Sequence, residues 1–515
     1  MDAIRLQNLR SIKDTEYITI KKMNILLGKN SSGKSTFLRT FPLLKQSVKN
    51  SLRGPLLWFD SSSVDFGDYD IAKNKYVDPN EKIKFGFRFS FGKLKERQSY
   101  RDHYYRQSFM TSVFFKDLSL EISIAKDAKG TYINNITLLI DSNNISLYSK
   151  GRNENLVVKV DNKIVNDKFN IKWDYSLSHS IIPSFTSTKN DSVFNFQSNL
   201  FEMFLSFIKS NSDKRLKNGD KIFQLFTKMN GIDKFAILEY LKNQNIIPSF
   251  AKKIENWTVE TPSFLEIYNL WLLIQIPPIL KLIDDQIQSF FSNSSYIAPT
   301  RAEAMRFYRN QELEVSEVDA YGKNLQEFIS SLNDRDISDF YDFTLKTLGV
   351  KVFVSSSMSH HSINIESKED ESFNLADVGF GYSQILPIIT KLWYASRKKP
   401  ITRYWKYDLQ TACVVIEQPE LHLHPAMQAK VADAFIETLK IAKKNDIDLR
   451  LVIETHSPTI VNRIGRRIAE QEIQDSDVNV LLFEKDKEMR NTIIKSTYYT
   501  PNGQIKNWPL GFFEP

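Results

Sequence analysis

The first residues of the chain alternate between apolar and polar positions, which is the pattern of β-strands. Residues 2–28 contain two short strands of this kind and a third, apolar one at 23–27. The third strand ends at Gly28, where the chain must turn. The apolar residues beyond the turn recur at helical spacing, and they are Phe37, Leu38, Phe41 and Leu44. We therefore expect a helix that begins near Lys34.

The middle of the chain changes pattern twice. From about 80 to 172, period-two runs such as 84–89, 118–124 and 136–140 are separated by Asn- and Gly-containing turns, which predicts an antiparallel sheet. Residues 195–292 have helical periodicity, and Pro277-Pro278 predicts a break in the last helix.

From residue 293 onward, strand and helix patterns alternate, which is typical of a mainly parallel sheet covered by helices. The predicted fold class is α/β: a mixed, mainly parallel sheet with helices, an antiparallel β subdomain and a helical insertion, in which the two ends of the chain complete one fold. At 515 residues the chain is long enough for about two to four compact units. We assign 1–50 to the first part of the head, 51–180 to the β subdomain, 181–292 to the helical insertion and 293–515 to the rest of the head.

Composition places the chain among globular proteins, with 42% hydrophobic and 25% charged residues. The sequence contains no run of about 20 uninterrupted apolar residues and opens without the pattern of a signal peptide. These features predict a soluble, cytoplasmic protein without a membrane partner. Cys413 lies in an apolar run and is expected in the core.

The net charge of +8 weakly favours acidic partners such as nucleic acid. The basic stretches 93–106 and 397–406 contain interleaved aromatic residues, so they are candidate nucleic-acid contacts or, alternatively, solvated faces.

The strongest chemical signal follows the third strand and matches G-x-x-x-x-G-K-[ST] in full. Its residues are Gly28, Lys29, Asn30, Ser31, Ser32, Gly33, Lys34, Ser35 and Thr36. Such a loop turns its backbone N–H groups toward a polyphosphate at a helix N-terminus. Lys34 is the candidate phosphate ligand and Ser35 the candidate Mg²⁺ ligand, so ATP and Mg²⁺ are the predicted cofactors. The alternative is a chance glycine turn before a helix.

A second apolar strand, 414–416, delivers Glu417 at its C-terminal end, where ligands bind in open α/β sheets. Glu417 is the candidate Walker B carboxylate that holds Mg²⁺ through water. The next position usually carries the carboxylate that activates water, but here it is Gln418, which cannot accept a proton. We expect slow hydrolysis, or Glu420 as the substitute.

A third strand, 451–453, leads into Glu454-Thr455-His456-Ser457-Pro458, where His456 is a candidate for a histidine that reaches the γ-phosphate, against a structural role. The nearby His422 and His424 raise the alternative of a metal site, but no cysteine accompanies them.

A fourth motif precedes an apolar helical run from Ile385 and lies about thirty residues before Glu417. Its glycines and polar side chains offer N–H groups to phosphate at a helix N-terminus. The candidate nucleotide contacts are Gly379, Gly381, Ser383 and Gln384.

These four motifs, in this order, resemble those of the ABC/SMC/RecF-like ATPases, especially the defence-associated AAA branch with "EQPELHLHP" and "ETHSP" motifs. The resemblance covers about 1–50 and 290–515, including 296–301 and the tail 503–513. It implies a head-to-head dimer or higher oligomer in which the signature of one subunit closes over ATP on the other. It also implies a separate effector, often a nuclease, as in Septu, PARIS and certain retrons.

A nuclease domain on this chain is not expected, because only 57 residues follow Pro458 and no Asp-x-Asp or HNH pattern is found. Two alternatives to the defence ATPase remain open at this point. One is a repair or chromosome-maintenance ATPase that grips DNA. The other is a scaffold that binds ATP without hydrolysing it.

Overall fold

The computed structural model describes most of the chain, and its described ranges are 1–90, 117–141, 143–166, 170–175, 180–187, 193–213, 219–309, 313–357, 360–367, 372–397, 411–486 and 491–508. The basic stretch 93–106 lies outside these ranges, as do 398–406 of the second stretch and the tail beyond Trp508.

Strands are numbered along the chain as β1 (Ala3–Leu9), β2 (Ile12–Asp14), β3 (Ile18–Thr19), β4 (Met23–Gly28), β5 (Ile83–Ser90), β6 (Asp117–Asp127), β7 (Gly130–Ile140), β8 (Asn143–Tyr148), β9 (Val157–Val160), β10 (Lys163–Ile164), β11 (Ile171–Asp174), β12 (Ser184–Ser187), β13 (Ser294–Ile297), β14 (Tyr308–Arg309), β15 (Lys351–Ser357), β16 (His360–Glu366), β17 (Ser372–Asn374), β18 (Thr411–Glu417), β19 (Asp448–Glu454), β20 (Val478–Lys485) and β21 (Thr492–Thr497).

Helices are numbered in the same way as α1 (Lys34–Lys49), α2 (Tyr69–Ala72), α3 (Val193–Ser210), α4 (Gly219–Lys228), α5 (Lys234–Asn243), α6 (Pro248–Lys253), α7 (Pro262–Ser292), α8 (Leu325–Ser330), α9 (Asp334–Leu348), α10 (Phe380–Arg397), α11 (Pro425–Lys444) and α12 (Pro458–Ala469).

The chain forms two compact units, and both are built from discontinuous segments. One comprises 1–5, 50–56 and 82–288, and the other comprises 6–49, 57–81 and 289–515. We call them the insertion unit and the head unit. The predicted β subdomain and helical insertion thus share one unit, and 57–81 groups with the head.

The head unit contains a six-stranded sheet in the order β13-β18-β19-β4-β20-β21. All neighbouring strands are parallel except β21, which runs antiparallel to β20. Because β4 comes from the start of the chain and its two neighbours come from the end, the prediction that the two ends complete one fold is confirmed.

Helices cover this sheet because alternate strand residues point to opposite faces. One face packs against α10, α11 and α12 through residues such as Ile25, Ile416 and Ile453. The helix α1 contacts β4, β13, β18 and β19 and begins at Lys34 as predicted. Cys413 is fully buried in β18, as expected, and burial raises the pKa of its thiol to about 12.

Two parts of the head unit were not expected. A small antiparallel sheet, β14-β16-β15 with β17 on β16, interrupts the parallel pattern before α10. Residues 57–81 join the head because the Gln46 side chain of α1 donates to the carbonyls of Leu57 and Val64, and the amide of Arg10 donates to Ala72. Such contacts over long sequence separations leave no local signal in the sequence.

The insertion unit contains the predicted antiparallel sheet, in which β5 to β10 form a meander with each strand beside its sequence neighbour. Helices α3 to α6 and most of α7 follow this sheet along the chain, in the region predicted to be helical. The predicted α/β class, with a mainly parallel sheet, an antiparallel part and helices, is confirmed.

The predicted break at Pro277-Pro278 is wrong, because α7 continues through both prolines. Pro278 has no N–H group to donate to the carbonyl of Ile274, four residues earlier. The Gln197 side chain of α3 supplies the missing donor, with its Nε2 atom 3.0 Å from the Ile274 oxygen. Packing around the buried Trp271, Ile276 and Ile279 further supports the helix.

Within the described residues, α7 is also the one helix long and apolar enough to cross a membrane. Its most apolar window is 67% buried in the protein. Because buried core helices pass the same test of length and composition, this helix is weak evidence for a membrane span.

The bond from Gln197 to Ile274 gives a testable prediction. Gln197→Leu should destabilise the insertion unit by about 1–3 kcal/mol, because the part-buried Ile274 carbonyl loses the side-chain donor that it has among the described residues. Amide hydrogen exchange should then increase in α7 around Ile276 and Ile279. The control is the exposed Glu202 of α3, the helix that carries Gln197, and Glu202→Ala should leave exchange in α7 unchanged. Equal exchange in both variants would contradict this account of the continuous helix.

Candidate functional site

The loop 28–36 curls tightly between β4 and α1. Gly28 and Gly33 have φ angles of +154° and +101°. A Cβ atom at Gly28 would lie 2.3 Å from the Phe483 carbonyl oxygen, and one at Gly33 would lie 2.3 Å from the Thr492 hydroxyl. Both positions therefore require glycine. Lys29, Asn30 and Ser31 form the exposed tip of the loop.

Lys34 lies at the buried end of this loop, with only 3% of its surface exposed. Its Nζ atom donates to the carbonyl oxygens of Gly28 and Lys29, each at 2.8 Å. Burial lowers the pKa of Lys34, and the nearby Glu454 carboxylate opposes that shift. The cation is thus held against its own loop, with Glu454 Oε1 3.8 Å away.

The hydroxyl of Ser35 donates to Glu454 Oε2 at 3.0 Å. Glu454 ends β19, the strand directly beside β4 in the sheet. Burial and the nearby charge of Glu417 raise the pKa of Glu454 to about 7. The predicted Mg²⁺ ligand Ser35 therefore contacts Glu454, a residue that the motif analysis left without a role.

Glu417 ends β18 and is the register partner of Glu454 on the neighbouring strand. Its two carboxylate oxygens accept from Arg39 Nε at 2.9 Å and Arg39 Nη2 at 3.0 Å. The hydroxyl of Tyr296 donates to the same carboxylate at 2.8 Å. Burial alone would lower the pKa of Arg39, but its hydrogen bonds and attraction to Glu417 raise it.

Gln418 and Glu420 follow Glu417 in a tight turn. Gln418 has a φ angle of +43°, and its amide donates to the carbonyl of Glu454 at 2.8 Å. The Glu420 carboxylate accepts from the Thr455 hydroxyl at 2.8 Å and from the amide of His456 at 2.6 Å. Burial raises the pKa of Glu420 despite these bonds. The turn after β18 is thus joined to the turn after β19.

Two buried polar atoms near the loop have no hydrogen-bond partner among the described residues: His456 Nε2 and Ser32 Oγ. Burial and, to a smaller extent, the charge of Lys34 lower the pKa of His456. Buried polar atoms normally have partners. Orphaned atoms beside Lys34, Ser35 and an exposed glycine loop therefore fit a polyphosphate with its divalent cation.

The fourth motif lies at the start of α10 and divides into two parts. Gly379, exposed and with a φ angle of +83°, precedes the helix, and Gly381 lies in its first turn. Ser383 and Gln384 are buried: the Ser383 hydroxyl donates to the Phe380 carbonyl at 2.7 Å and Gln384 Nε2 to that of Arg301 at 3.3 Å. The two glycines are therefore the accessible half of this predicted signature.

His422 and His424 have contacts within the fold. The His422 ring packs edge-on against Phe380, and His424 Nδ1 accepts from the amide of Ala426 at the start of α11. Among the described residues, no group of three metal-ligating side chains is found.

Arg301, which lies in the segment 296–301, is only 3% exposed. Its Nη2 atom donates to the carbonyls of Glu417 at 2.9 Å and Gln418 at 3.1 Å. Burial lowers its pKa to about 10 although Glu420 opposes the shift. Arg301 thus joins the turn after β18 to the buried Gln384 of α10.

Motif analysis missed Arg39, Tyr296, Arg301 and Glu454 as members of this site. Glu454 carried a signal, because it is a carboxylate at the end of an apolar strand, as Glu417 is. Tyr296 and Arg301 lie in the segment 296–301, which the resemblance included without a chemical role. Neither these two residues nor Arg39 carried a signal for their contacts, since their partners are 83 to 378 residues away in sequence.

The chain is similar to known proteins both in sequence and in fold. A family model described as AAA ATPase domain matches residues 1–461. No curated protein matches the sequence. Similar solved structures include the Smc head domain with an extended coiled coil bound to the C-terminal domain of ScpA from Pyrococcus furiosus, at 8% identity and a TM-score of 0.35 over 96% of this chain and 95% of that chain. The SMC head domain from Thermotoga maritima is similar at 8% identity and a TM-score of 0.34, over 96% of this chain and 97% of that chain.

The raised pKa of Glu454 predicts a pH dependence of stability. Its folded value of about 7 lies above the ordinary 4.5, so between these values the folded chain binds a proton that the unfolded chain has released. Ionisation of Glu454 therefore lowers the free energy of unfolding as pH rises through that window, by up to about 3 kcal/mol above pH 7.

Thermal unfolding at pH 5, 6, 7 and 8 measures this effect. Glu454→Gln cannot titrate, so its stability relative to the unsubstituted protein should rise with pH and level off above about pH 7. The control Glu16→Gln changes an exposed carboxylate of the head unit and should show a flat difference. A flat difference for Glu454→Gln as well would contradict the raised pKa.

Proposed function

The chain belongs to the AAA ATPase domain family, and on that premise we propose that it binds ATP with Mg²⁺, hydrolyses it slowly and dimerises around it. The observation that supports this most directly is the buried end of the loop 28–36, where Lys34 and Ser35 lie beside Glu454. When bound, magnesium supplies charge neutralisation for the phosphates. The glycine loop and Lys34 hold the phosphates, Ser35 holds the metal, and His456 lies near Lys34 to contact the γ-phosphate.

Dimerisation is supported by the surface around Gly379. Exposed apolar side chains flank the start of α10, and they are Met305, Phe307, Phe373 and Phe380. The Asn374 side chain donates to the carbonyl of Arg306, and Arg306 pairs with Asp377, so these segments are held together. Several large apolar side chains exposed on linked segments are typical of an interaction site. We propose that a second copy covers it, with Gly379 and Gly381 facing the nucleotide of that copy.

We propose further that the protein is cytoplasmic and that its nucleotide state controls a separate effector, a nuclease in anti-phage defence. The support for this part is the resemblance of 417–425 and 454–458 to the motifs of defence-associated ATPases. Two experiments test this part of the proposal: purification of the protein from its native cells and a phage-protection assay. A nuclease that co-purifies with the protein supports the proposal. The proposal is contradicted if no nuclease co-purifies and the protein protects cells against no phage.

Nucleotide binding and dimerisation can be tested together with Lys34→Ala. The variant should lose binding of a fluorescent ATP analogue by about tenfold or more, because a charge-assisted contact to phosphate is removed. Light scattering should show an ATP-dependent mass increase for the unsubstituted protein and none for Lys34→Ala. The control Lys13→Ala removes an exposed lysine of the same unit and should behave like the unsubstituted protein. Retention of ATP by Lys34→Ala would refute the site, and ATP binding without a mass increase would refute the dimer.

Slow hydrolysis is a consequence of Gln418, which cannot accept a proton from water. Gln418→Glu should raise ATP turnover by about tenfold or more, since general base catalysis contributes about 10²–10⁴-fold. The exposed Gln471 provides the control, and Gln471→Glu should leave turnover unchanged. Turnover of the unsubstituted protein well above about 10 s⁻¹ would contradict a slow enzyme. An unchanged rate in Gln418→Glu would show that the missing carboxylate is not what limits it.

A further inference from the structure

Two carboxylates end neighbouring strands beside the loop 28–36, and they have different partners. We infer that Glu454, together with Ser35, is the protein carboxylate that binds the Mg²⁺ ion of ATP, while Glu417 is a positioning residue held by Arg39 and Tyr296. This inference rests on the proposed ATP-binding function and assigns the metal-binding carboxylate within the same site. It reverses the assignment that the motif order predicts for Glu417.

The first argument is that the oxygens of Glu417 are already engaged. Three donors from two side chains converge on them at 2.8 to 3.0 Å, and the arginine pair is bidentate. Bidentate arginine pairs are among the strongest hydrogen-bonded contacts in proteins and have a fixed geometry. Three of the roughly four acceptor positions of the Glu417 carboxylate are thus occupied, and a cation bound directly at the remaining position would be repelled by the adjacent Arg39 guanidinium.

The second argument is the position of Glu454. Its strand β19 lies between β4 and β18, so Glu454 is nearer than Glu417 to the strand that delivers the loop. The hydroxyl of Ser35 is 3.0 Å from Glu454 Oε2. Adjacent ligands of an octahedral Mg²⁺ at 2.0–2.1 Å are also separated by about 3 Å. The two oxygens can therefore share one ion without a change in their separation.

The third argument concerns the other acidic candidate. Glu420 accepts hydrogen bonds from Thr455 and His456, one on each carboxylate oxygen. The described hydrogen bonds of Glu420 thus join the turn after β18 to the residues after β19. The described hydrogen bond of the Glu454 side chain joins it to Ser35 in the loop 28–36. Of these three carboxylates, Glu454 is the one whose hydrogen bond reaches a P-loop hydroxyl, and oxygen ligands of this kind are those that Mg²⁺ prefers.

The experiment compares ATP affinity with Mg²⁺ and with EDTA in the full chain. For each protein, the ratio of the two affinities measures the contribution of the metal. In Glu454→Gln, the ratio of the ATP affinity with Mg²⁺ to the ATP affinity with EDTA should fall by about tenfold or more. Its affinity in EDTA should be unchanged, which shows that the variant is folded. Glu417→Gln should lower both affinities by a similar factor, so that its ratio is retained. Glu472→Gln, an exposed carboxylate on the head unit, is the matched control.

A second readout is independent of ATP turnover. Mn²⁺ bound with ATP gives an electron paramagnetic resonance signal, and Glu454→Gln should weaken Mn²⁺ binding by a similar factor. Loss of the Mg²⁺ contribution in Glu417→Gln, or in both variants equally, overturns the inference while the ATP site stands. Absence of ATP binding by the unsubstituted protein overturns the proposed function and the inference with it.

Discussion

The head unit depends on one constraint: several charged side chains are buried at one edge of a parallel sheet, where each needs a partner. Removing a charge from water is costly unless an opposite charge or several hydrogen bonds compensate. The register of β18 and β19 places Glu417 and Glu454 side by side, so two carboxylates face each other in a region of low solvent exposure. Arg39 compensates one of them, and Lys34 with Ser35 approaches the other.

This division of partners gives the neighbouring carboxylates different chemical properties. Glu417 is held in an ion pair by the bidentate Arg39. Glu454 lies 3.8 Å from its lysine, and burial together with the Glu417 charge raises its pKa to about 7. A carboxylate in that situation gains most from an added cation, because the cation relieves both the burial and the repulsion. Position in the sheet thus distinguishes two glutamates that look equivalent in the sequence.

Sequence patterns predicted those parts of the fold and site whose signals are local. The loop 28–36, the helix beginning at Lys34, the alternating strands of the insertion unit and the parallel sheet all follow from short-range periodicity and glycine placement. The continuation of α7 through Pro277-Pro278 depends on Gln197, about eighty residues earlier, and the partner of Glu417 lies 378 residues before it. Interactions over such distances arise only when the chain is folded, so periodicity and motif spacing do not reveal them.

The same reasoning explains why the start of α10 was only partly understood from its residues. Glycines and small polar residues before a helix predict an anion-binding turn, but they do not say which side chains point inward. Gln384 donates to the carbonyl of Arg301, and Arg301 donates to the carbonyls of Glu417 and Gln418. Any displacement of α10 relative to the end of β18 must therefore break these bonds in a buried setting, where an unpaired donor is costly. The helix that follows the accessible glycines is thus joined to the turn after β18 through one buried arginine, so the position of α10 and the geometry of that turn depend on each other.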